Sequence, residues 1–260
     1  MQHPVEPATG REPLRYHRAP RSLVFPTEAT MPETKRHLRL RTALHDMLRR
    51  AIGDHACIGS EQFVYFDAAD PSRCLAPDVY VRLGTPDFDF DVWMAWKLGA
   101  PELAVELVSD DDRPERAWAR KLDRYHHLGV TELVRFDADA PEGERIRVWD
   151  RVGGDLVERV LAGDVTPCQP LGLWWVARPL DDDDPVALRL SHDREGTKLL
   201  LSAKEETAAA ELRAEQEHRR AEQEQRRADQ EQVARSDAER SRDKALERIA
   251  QLEAELAKGR

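Results

Sequence analysis

The chain has 260 residues, enough for one domain of ordinary size and an extension, and its net charge of −10 comes from 40 basic and 50 acidic residues. This acidic balance argues against a protein that coats nucleic acid nonspecifically, but it is compatible with an enzyme that has a local basic groove. No run reaches the roughly 18 apolar residues of a membrane span, and no signal peptide is expected at the N-terminus. Cys57, Cys74 and Cys168 have neither CxxC nor zinc spacing, so we predict free thiols in a reducing cytoplasm.

The first part of the chain has several prolines and no apolar period, so residues 1–30 are predicted to form a flexible arm. Met31 is compatible with being the true start. From Glu33 to Ile52 the apolar residues fall mostly on one face of a helix. Thr34 is a suitable cap for this helix and Gly53 a suitable stop.

Short apolar runs bounded by turn residues predict strands after this helix. The run 78–83 alternates in hydrophobicity, whereas 103–108 is apolar except for Glu106. A second helix is expected to begin near Pro114 and to end at Gly129. Further strands are predicted over residues 62–66, 132–137, 145–150, 156–161 and 171–176. This order favours an α/β domain, bordering on α+β, with a mixed central sheet flanked by helices.

The C-terminal part has a different composition. Residues 213–233 read RAEQEHR RAEQEQR RADQEQV, a seven-residue repeat with alanine at one heptad position. The pattern predicts a long helix, either a solvated single helix or a dimeric coiled coil. We therefore divide the chain into the arm, a globular domain at 31–180, a linker at 181–202 and a helical tail at 203–260.

Two carboxylates and a lysine form the candidate site. Asp78 follows a proline and opens one apolar strand, Glu106 lies inside the next, and Lys121 is on the helix that follows. Carboxylates are rarely buried unless they are paired or bind a metal, and oxygen ligands suit Mg²⁺ or Mn²⁺. Such a site can cleave a phosphodiester, because the metal polarises the phosphate and activates water while the lysine orients that water or stabilises charge.

Each of these groups also has a structural interpretation. Glu106 could be paired with an arginine, and Lys121 could lie on the helix surface. Asp110–Asp112 are better explained as helix-capping residues than as metal ligands. His126 and His127 are adjacent on a helix and point in different directions, so joint ligation is not expected. The six tryptophans are expected to pack in the core and at its edges.

Several segments together resemble the PD-(D/E)XK nuclease superfamily and, within it, the Uma-type family of restriction endonucleases. The resemblance covers about residues 24–180. It is carried by MPETKRH at 31–37, APDVYV at 76–81, PELAVELVS at 101–109, KLDRY at 121–125 and HHLGV at 126–130.

The resemblance implies a restriction-endonuclease-like core in which Asp78 and Glu106 bind Mg²⁺ or Mn²⁺, with the backbone carbonyl of Leu107 as a further donor. Val108 stands where the superfamily signature has its lysine. In the Uma-type pattern the lysine has moved to the following helix, and Lys121 matches that place.

The resemblance also suggests supporting residues. Glu33 is a candidate additional carboxylate from the first helix, and His37 is expected beside it. Tyr125 lies one turn after Lys121 on the same helix face, where it either supports the site or packs.

Three positions depart from the family pattern. Asp110 replaces a proline, Leu133–Val134 replaces a Tyr-Trp pair, and Arg135 stands at an apolar position. None of these changes removes a catalytic atom, but they leave room for an inactive member.

Two functions follow. The first is a metal-dependent DNA endonuclease with Asp78, Glu106 and Lys121 as its catalytic residues. It is expected to be a cytoplasmic homodimer that does not associate with a membrane. The alternative is a catalytically inactive interaction protein whose C-terminal coiled coil recruits a partner protein.

Overall fold

The computed structural model describes residues 2–5, 14–17, 34–109 and 114–258, and its contacts divide the chain into two units, 1–203 and 204–260. The helices are α1 (Lys35–Ile52), α2 (Ala95–Leu98), α3 (Glu115–Leu128) and α4 (Ala203–Lys258). The strands are β1 (Gln2–Val5), β2 (Leu14–His17), β3 (Ala56–Gly59), β4 (Val64–Tyr65), β5 (Cys74–Leu75), β6 (Val79–Leu83), β7 (Trp93–Met94), β8 (Leu103–Leu107), β9 (Glu132–Phe136), β10 (Ile146–Val152), β11 (Asp155–Glu158), β12 (Val165–Cys168), β13 (Leu173–Arg178) and β14 (Ala187–Ser191).

A six-stranded mixed sheet lies at the centre of the first unit. Its order is β11-β10-β9-β8-β6-β3, in which β8 and β9 are parallel and the other neighbours are antiparallel. The parallel pair is connected through α3, the crossover helix that parallel neighbours require. The predicted α/β class with a mixed sheet and flanking helices is confirmed.

The two faces of this sheet bury different partners. Residues such as Val79, Val105 and Val134 pack with the apolar side of α1 and with the strands β13 and β14. The alternate residues Tyr80, Ala104 and Leu133 pack with α3 and with the short strands β4, β5 and β7. Because successive side chains in a strand point to opposite faces, each strand connects the two layers.

The ends of the two helices agree with the sequence signals. Thr34 accepts a hydrogen bond from the His37 backbone N–H at 3.2 Å, and the Gly53 N–H caps the other end of α1. Gly129 ends α3 in the left-handed region at φ 93°, a conformation that glycine adopts without a side-chain clash. Asp110–Asp112, interpreted as capping residues, lie outside the described residues.

Residues 181–202 are not the linker that the sequence suggested. They contain β14, which pairs with β13 and contributes Leu188 and Leu190 to the core. Asp184, from the acidic run, is buried and accepts hydrogen bonds from the Arg39 guanidinium at 2.7 and 2.9 Å. This pairing attaches the acidic run to α1, so the run belongs to the folded unit.

The two terminal regions contain regular secondary structure. In the predicted N-terminal arm, β1 and β2 pair antiparallel as a two-stranded sheet. The second unit is the continuous helix α4, as the heptad pattern predicted. Leu246, Ile249 and Leu252 are exposed on this helix.

The cysteines carry free thiols as predicted, and the tryptophans lie in the core and at its edges except for Trp96, which is exposed. Trp93 and Trp175 are fully buried, and Trp118 packs against Trp149 with ring centroids 5.1 Å apart. Among the described residues no helix is long and apolar enough to cross a membrane.

Candidate active site

Strand register brings the two predicted carboxylates together. In the antiparallel pair β6–β8, Val79 is opposite Val105 and Tyr80 is opposite Ala104. Continuing this register by one residue places Asp78, immediately before β6, opposite Glu106 near the end of β8. The two carboxylates thus lie at the same end of two neighbouring interior strands of the central sheet.

Asp78 is held by β8 on one side and faces α1 on the other. Its Oδ2 accepts a hydrogen bond from the Leu107 backbone N–H at 2.7 Å, and its Oδ1 lies 3.2 Å from His37 Nε2. The same ring nitrogen is 3.1 Å from the Leu107 carbonyl oxygen. Asp78 is buried, so its orientation is fixed by the backbone of β8 and not by solvent.

Glu106 is held by two side chains of α3. Lys121 Nζ lies 2.6 Å from Glu106 Oε2, and the Tyr125 hydroxyl donates a hydrogen bond to Glu106 Oε1. Residues four apart lie on the same helix face, so one face of α3 reaches both oxygens of the carboxylate. Glu106 and Tyr125 are buried, whereas 23% of the Lys121 side chain is exposed.

The protonation of Glu106 reflects its surroundings. Burial raises the pKa of Glu106 from 4.5 to about 7, and the nearby charge of Asp78 adds to the rise. Lys121 and Tyr125 act in the opposite direction, because both stabilise the ionised form. The ionised form of Glu106 is thus disfavoured mainly by burial, and a bound cation would stabilise it.

The donor atoms at this end of β6 and β8 suit a hard divalent cation. The carboxylates of Asp78 and Glu106 and the carbonyl of Leu107 are all oxygen donors, which Mg²⁺ and Mn²⁺ prefer. Within the part of the chain that the structure describes, no three His, Cys, Asp or Glu side chains are grouped so as to hold a metal by themselves. A cation here would therefore need the backbone carbonyl, and water, in its shell.

The structure brings Asp78, Glu106 and Lys121 together, as the sequence suggested. Glu106 pairs with Lys121, which is turned toward the site. Glu33, the candidate additional carboxylate, lies outside the described residues.

The two histidines near the end of α3 have separate neighbours, as expected of adjacent helical residues. His126 Nδ1 lies 3.9 Å from Asp155, and His127 Nδ1 lies 3.6 Å from Asp123. Their side chains make contacts on the helix surface and do not face a common point.

The sequence analysis did not identify a further buried carboxylate, Glu132, which opens the neighbouring strand β9. Glu132 is fully buried, and its oxygens accept hydrogen bonds from Trp175 Nε1 at 2.8 Å, Arg159 at 2.9 Å and the Gln169 backbone N–H at 3.1 Å. The signal in the sequence was an acidic residue opening an apolar strand, the same signal that marked Asp78. Its partners come from β13 and from loops distant in sequence, so they could not be assigned in advance.

The sequence of the chain matches a known protein family. A family model described as "Uma2: Putative restriction endonuclease" matches residues 27–180, more than half of the chain. The chain belongs to the Uma2 family. The match confirms the resemblance drawn from the sequence motifs and, with the mixed α/β fold, indicates a nuclease.

Solved structures provide a more distant comparison. One is the crystal structure of "a putative nuclease belonging to DUF820 from Anabaena variabilis ATCC 29413", which is 14% identical in sequence. The match covers 53% of this chain and 74% of that chain, with a TM-score of 0.37. Among curated proteins none matches this chain.

The departures from the Uma2 pattern are accommodated within the fold. Leu133 and Val134, at the place of the Tyr-Trp pair, are buried on opposite faces of β9. The Arg135 guanidinium lies over the Trp118 ring at 5.1 Å. By register Arg135 is adjacent to Glu106 on the parallel strand, so this departure places a cation on the strand next to the candidate site.

Proposed function

We propose that this Uma2 protein is a metal-dependent endonuclease that hydrolyses phosphodiester bonds of DNA. The observation that carries the proposal is the convergence of two buried carboxylates and a lysine, Asp78, Glu106 and Lys121, at one end of the neighbouring strands β6 and β8. We propose Mg²⁺ or Mn²⁺ as the cofactor, held by Asp78 and Glu106 with the Leu107 carbonyl. When bound, such an ion polarises the phosphate and lowers the pKa of a coordinated water.

The chain's own residues divide the remaining work. Asp78 is fixed by the Leu107 N–H, so one of its oxygens keeps a constant position. Lys121 carries a positive charge next to Glu106 and is partly exposed, which allows it to reach a phosphate at the surface. There it would orient the attacking water or stabilise the negative charge that builds up on the phosphate oxygens.

Tyr125 acts through Glu106 in this proposal. Its buried hydroxyl donates to the carboxylate and stabilises the ionised form, which is the form that can bind a cation. The reaction is attack of water on phosphorus, in which one phosphorus–oxygen bond breaks and leaves a phosphate end and a hydroxyl end. Tyr125 does not contact the reacting atoms, so it is a positioning residue.

A plasmid assay tests the proposal directly. Purified wild-type protein with Mg²⁺ or Mn²⁺ should convert supercoiled DNA to nicked or linear forms, and chelation of the metal should stop the reaction. Asp78→Asn, Glu106→Gln and Lys121→Met should each reduce the rate by about 100-fold or more, as expected for groups that stabilise the transition state. Asp123→Asn is a matched control, because Asp123 lies on the same helix with 68% of its side chain exposed.

The proposal is wrong if folded wild-type protein cleaves DNA no faster than the three site variants. That result would favour the alternative of an inactive interaction protein. We also propose that the protein works in the cytoplasm, where its three free thiols would stay reduced.

Pairing of two α4 helices is proposed as the route to a homodimer. The repeat at 213–233 and the exposed Leu246, Ile249 and Leu252 resemble the weakly apolar seam of a coiled coil. Two copies would suit cleavage of both DNA strands. Deleting residues 204–260 should change the oligomeric state measured by light scattering from two chains per particle to one, and two chains per particle in the truncated protein would remove α4 pairing from the proposal.

A further inference from the structure

Two arginines continue the row of site residues across the central sheet. Glu106 on β8 is in register with Arg135 on β9, and Arg135 is in register with Arg147 on β10. Side chains in register on neighbouring strands point to the same face, so both arginines lie on the face that carries Glu106. Because neighbouring strands are about 4.8 Å apart, the backbone of Arg147 lies roughly 10 Å across the sheet from that of Glu106.

Both guanidinium groups lie against buried indole rings. Arg135 is 5.1 Å from the centroid of the Trp118 ring, and Arg147 is 5.0 Å from that of Trp149. The two rings pack against each other and are both buried. A guanidinium on an aromatic face is stabilised there and loses less conformational freedom when it binds an anion. The two cations therefore have defined positions beside the candidate site.

The two arginines line a cleft of about 500 Å³. The charged residues of its wall are three arginines and three carboxylates, Arg135, Arg147, Arg159, Asp137, Glu144 and Glu158. Since the two signs balance, the cleft attracts an anion only where an arginine is well placed. Arg159 is already bound to the buried Glu132 and to Asp150. The groups suited to an anion are therefore Arg135, on the strand next to Glu106, and Arg147 beyond it.

The ion pair of Arg147 permits a further contact. Arg147 Nε and Nη2 donate to Glu158 at 2.7 and 2.9 Å, whereas Nη1 has no hydrogen-bond partner among the described residues. The side chains of Arg147 and Glu158 are 42% and 43% exposed. An ion pair in contact with water contributes little to stability, so an incoming phosphate can share Arg147 with Glu158 or replace that carboxylate.

We propose that Arg135 and Arg147 bind phosphates of the substrate DNA that neighbour the scissile phosphate. The inference rests on the proposed function, because it concerns the substrate of the same site. A DNA strand carries one phosphate about every 3.4 Å along the helix axis, so phosphates beside the cleaved bond fall within the distance from Glu106 to Arg147. Arginine binds phosphate through paired N–H donors and keeps its charge at any working pH.

Binding of a fluorescent DNA duplex to the full-length protein tests this contact without cleavage. Fluorescence anisotropy is measured with a chelator present, over a series of salt concentrations. Arg135→Met should weaken binding by roughly 10-fold. It should also lower the slope of log Kd against log salt by about 1, as expected for one lost phosphate contact. Arg147→Met should act in the same direction, whereas the matched control Arg178→Met, on β13 in another sheet, should leave the slope unchanged.

Glu158→Gln separates phosphate binding from a structural role of the arginines. The substitution removes the carboxylate that competes for Arg147, so it should strengthen DNA binding by roughly 2- to 5-fold. Loss of an ion pair that is merely structural would not strengthen binding. This variant keeps the test decisive if circular dichroism shows that Arg135→Met does not fold.

The outcomes distinguish this inference from the proposed function. If wild-type protein cleaves plasmid DNA but Arg135→Met and Arg147→Met keep the wild-type affinity and salt slope, the arginines do not bind the substrate and the endonuclease proposal stands. Unchanged or weaker binding by Glu158→Gln overturns the role of Arg147. If wild-type protein neither binds the duplex nor cleaves plasmid DNA with Mg²⁺ or Mn²⁺, both proposals fail.

Discussion

Replacing Glu106 with glutamine should make the folded protein more stable above neutral pH. Glu106 is buried, and its pKa in the folded chain is raised from 4.5 to about 7, mainly by burial. The protonated form is therefore favoured in the folded state. Its contribution to stability is fully present below about pH 4.5 and is lost as the pH rises through about 7.

The size of the effect follows from the pKa difference. A pKa shift of one unit corresponds to about 1.36 kcal/mol. The rise of the Glu106 pKa from 4.5 to about 7 therefore changes the free energy of unfolding by roughly 3 kcal/mol as an upper value. Glutamine has nearly the same shape but does not ionise. The free energy of unfolding of the Glu106→Gln variant, minus that of wild type, should rise by up to this amount between about pH 4.5 and 7 and then level off.

Urea unfolding followed by tryptophan fluorescence measures this difference. All six tryptophans lie between Trp93 and Trp175, so the signal reports the globular unit and not α4. Metal-free buffer with a chelator is needed, because a bound cation would stabilise ionised Glu106. A difference that stays constant from about pH 4.5 to 8 would refute the assigned environment of Glu106.

Two other substitutions test neighbouring contacts. Tyr125→Phe removes the hydroxyl that donates to Glu106 and should cost about 1.5–3 kcal/mol near pH 8, measured by the same unfolding assay. Tyr80→Phe is its control and should be nearly neutral, because the buried Tyr80 hydroxyl has no hydrogen-bond partner among the described residues. Equal losses of stability in the two variants would contradict the role of Tyr125. Glu132→Gln breaks a buried pair with Arg159 and should destabilise the folded protein by about 3 kcal/mol, an effect opposite in sign to that of Glu106→Gln. A stabilised Glu132→Gln variant would show that this pair is misassigned.

The sequence predicted those parts of the fold that local chemistry determines. Thr34 and Gly129 marked helix ends because a capping hydroxyl and a left-handed glycine act within a few residues. The strands that carry Asp78 and Glu106 were visible as apolar runs. Their pairing was expected from the family resemblance, and not from the pattern alone.

Elements that depend on distant partners were missed. β12 contains Pro167, which weakens a strand pattern, but β12 is at the edge of its sheet, where proline is tolerated. β14 follows an acidic run that looked like a linker, although Asp184 is neutralised by Arg39 from α1. In both cases the decisive contact lies far away in the sequence.

The same limit applies to the site. The helix spacing of Lys121 and Tyr125 indicated a shared face, but only the packing of α3 shows that this face meets Glu106. The distance from His37 to Asp78 depends on how α1 is packed on the other side of the sheet. Neither relation has a signature in local sequence.

The origin of the site's side chains in two separate layers has a consequence for a newly made chain. His37 comes from α1, whereas Lys121 and Tyr125 come from α3, which is synthesised later and packs on the opposite face of the sheet. We therefore expect that a nascent or half-assembled chain lacks one part of the site, either the imidazole beside Asp78 or the ammonium beside Glu106. The proposed endonuclease activity would then begin only when both layers have docked, so its onset would follow the folding of the whole domain.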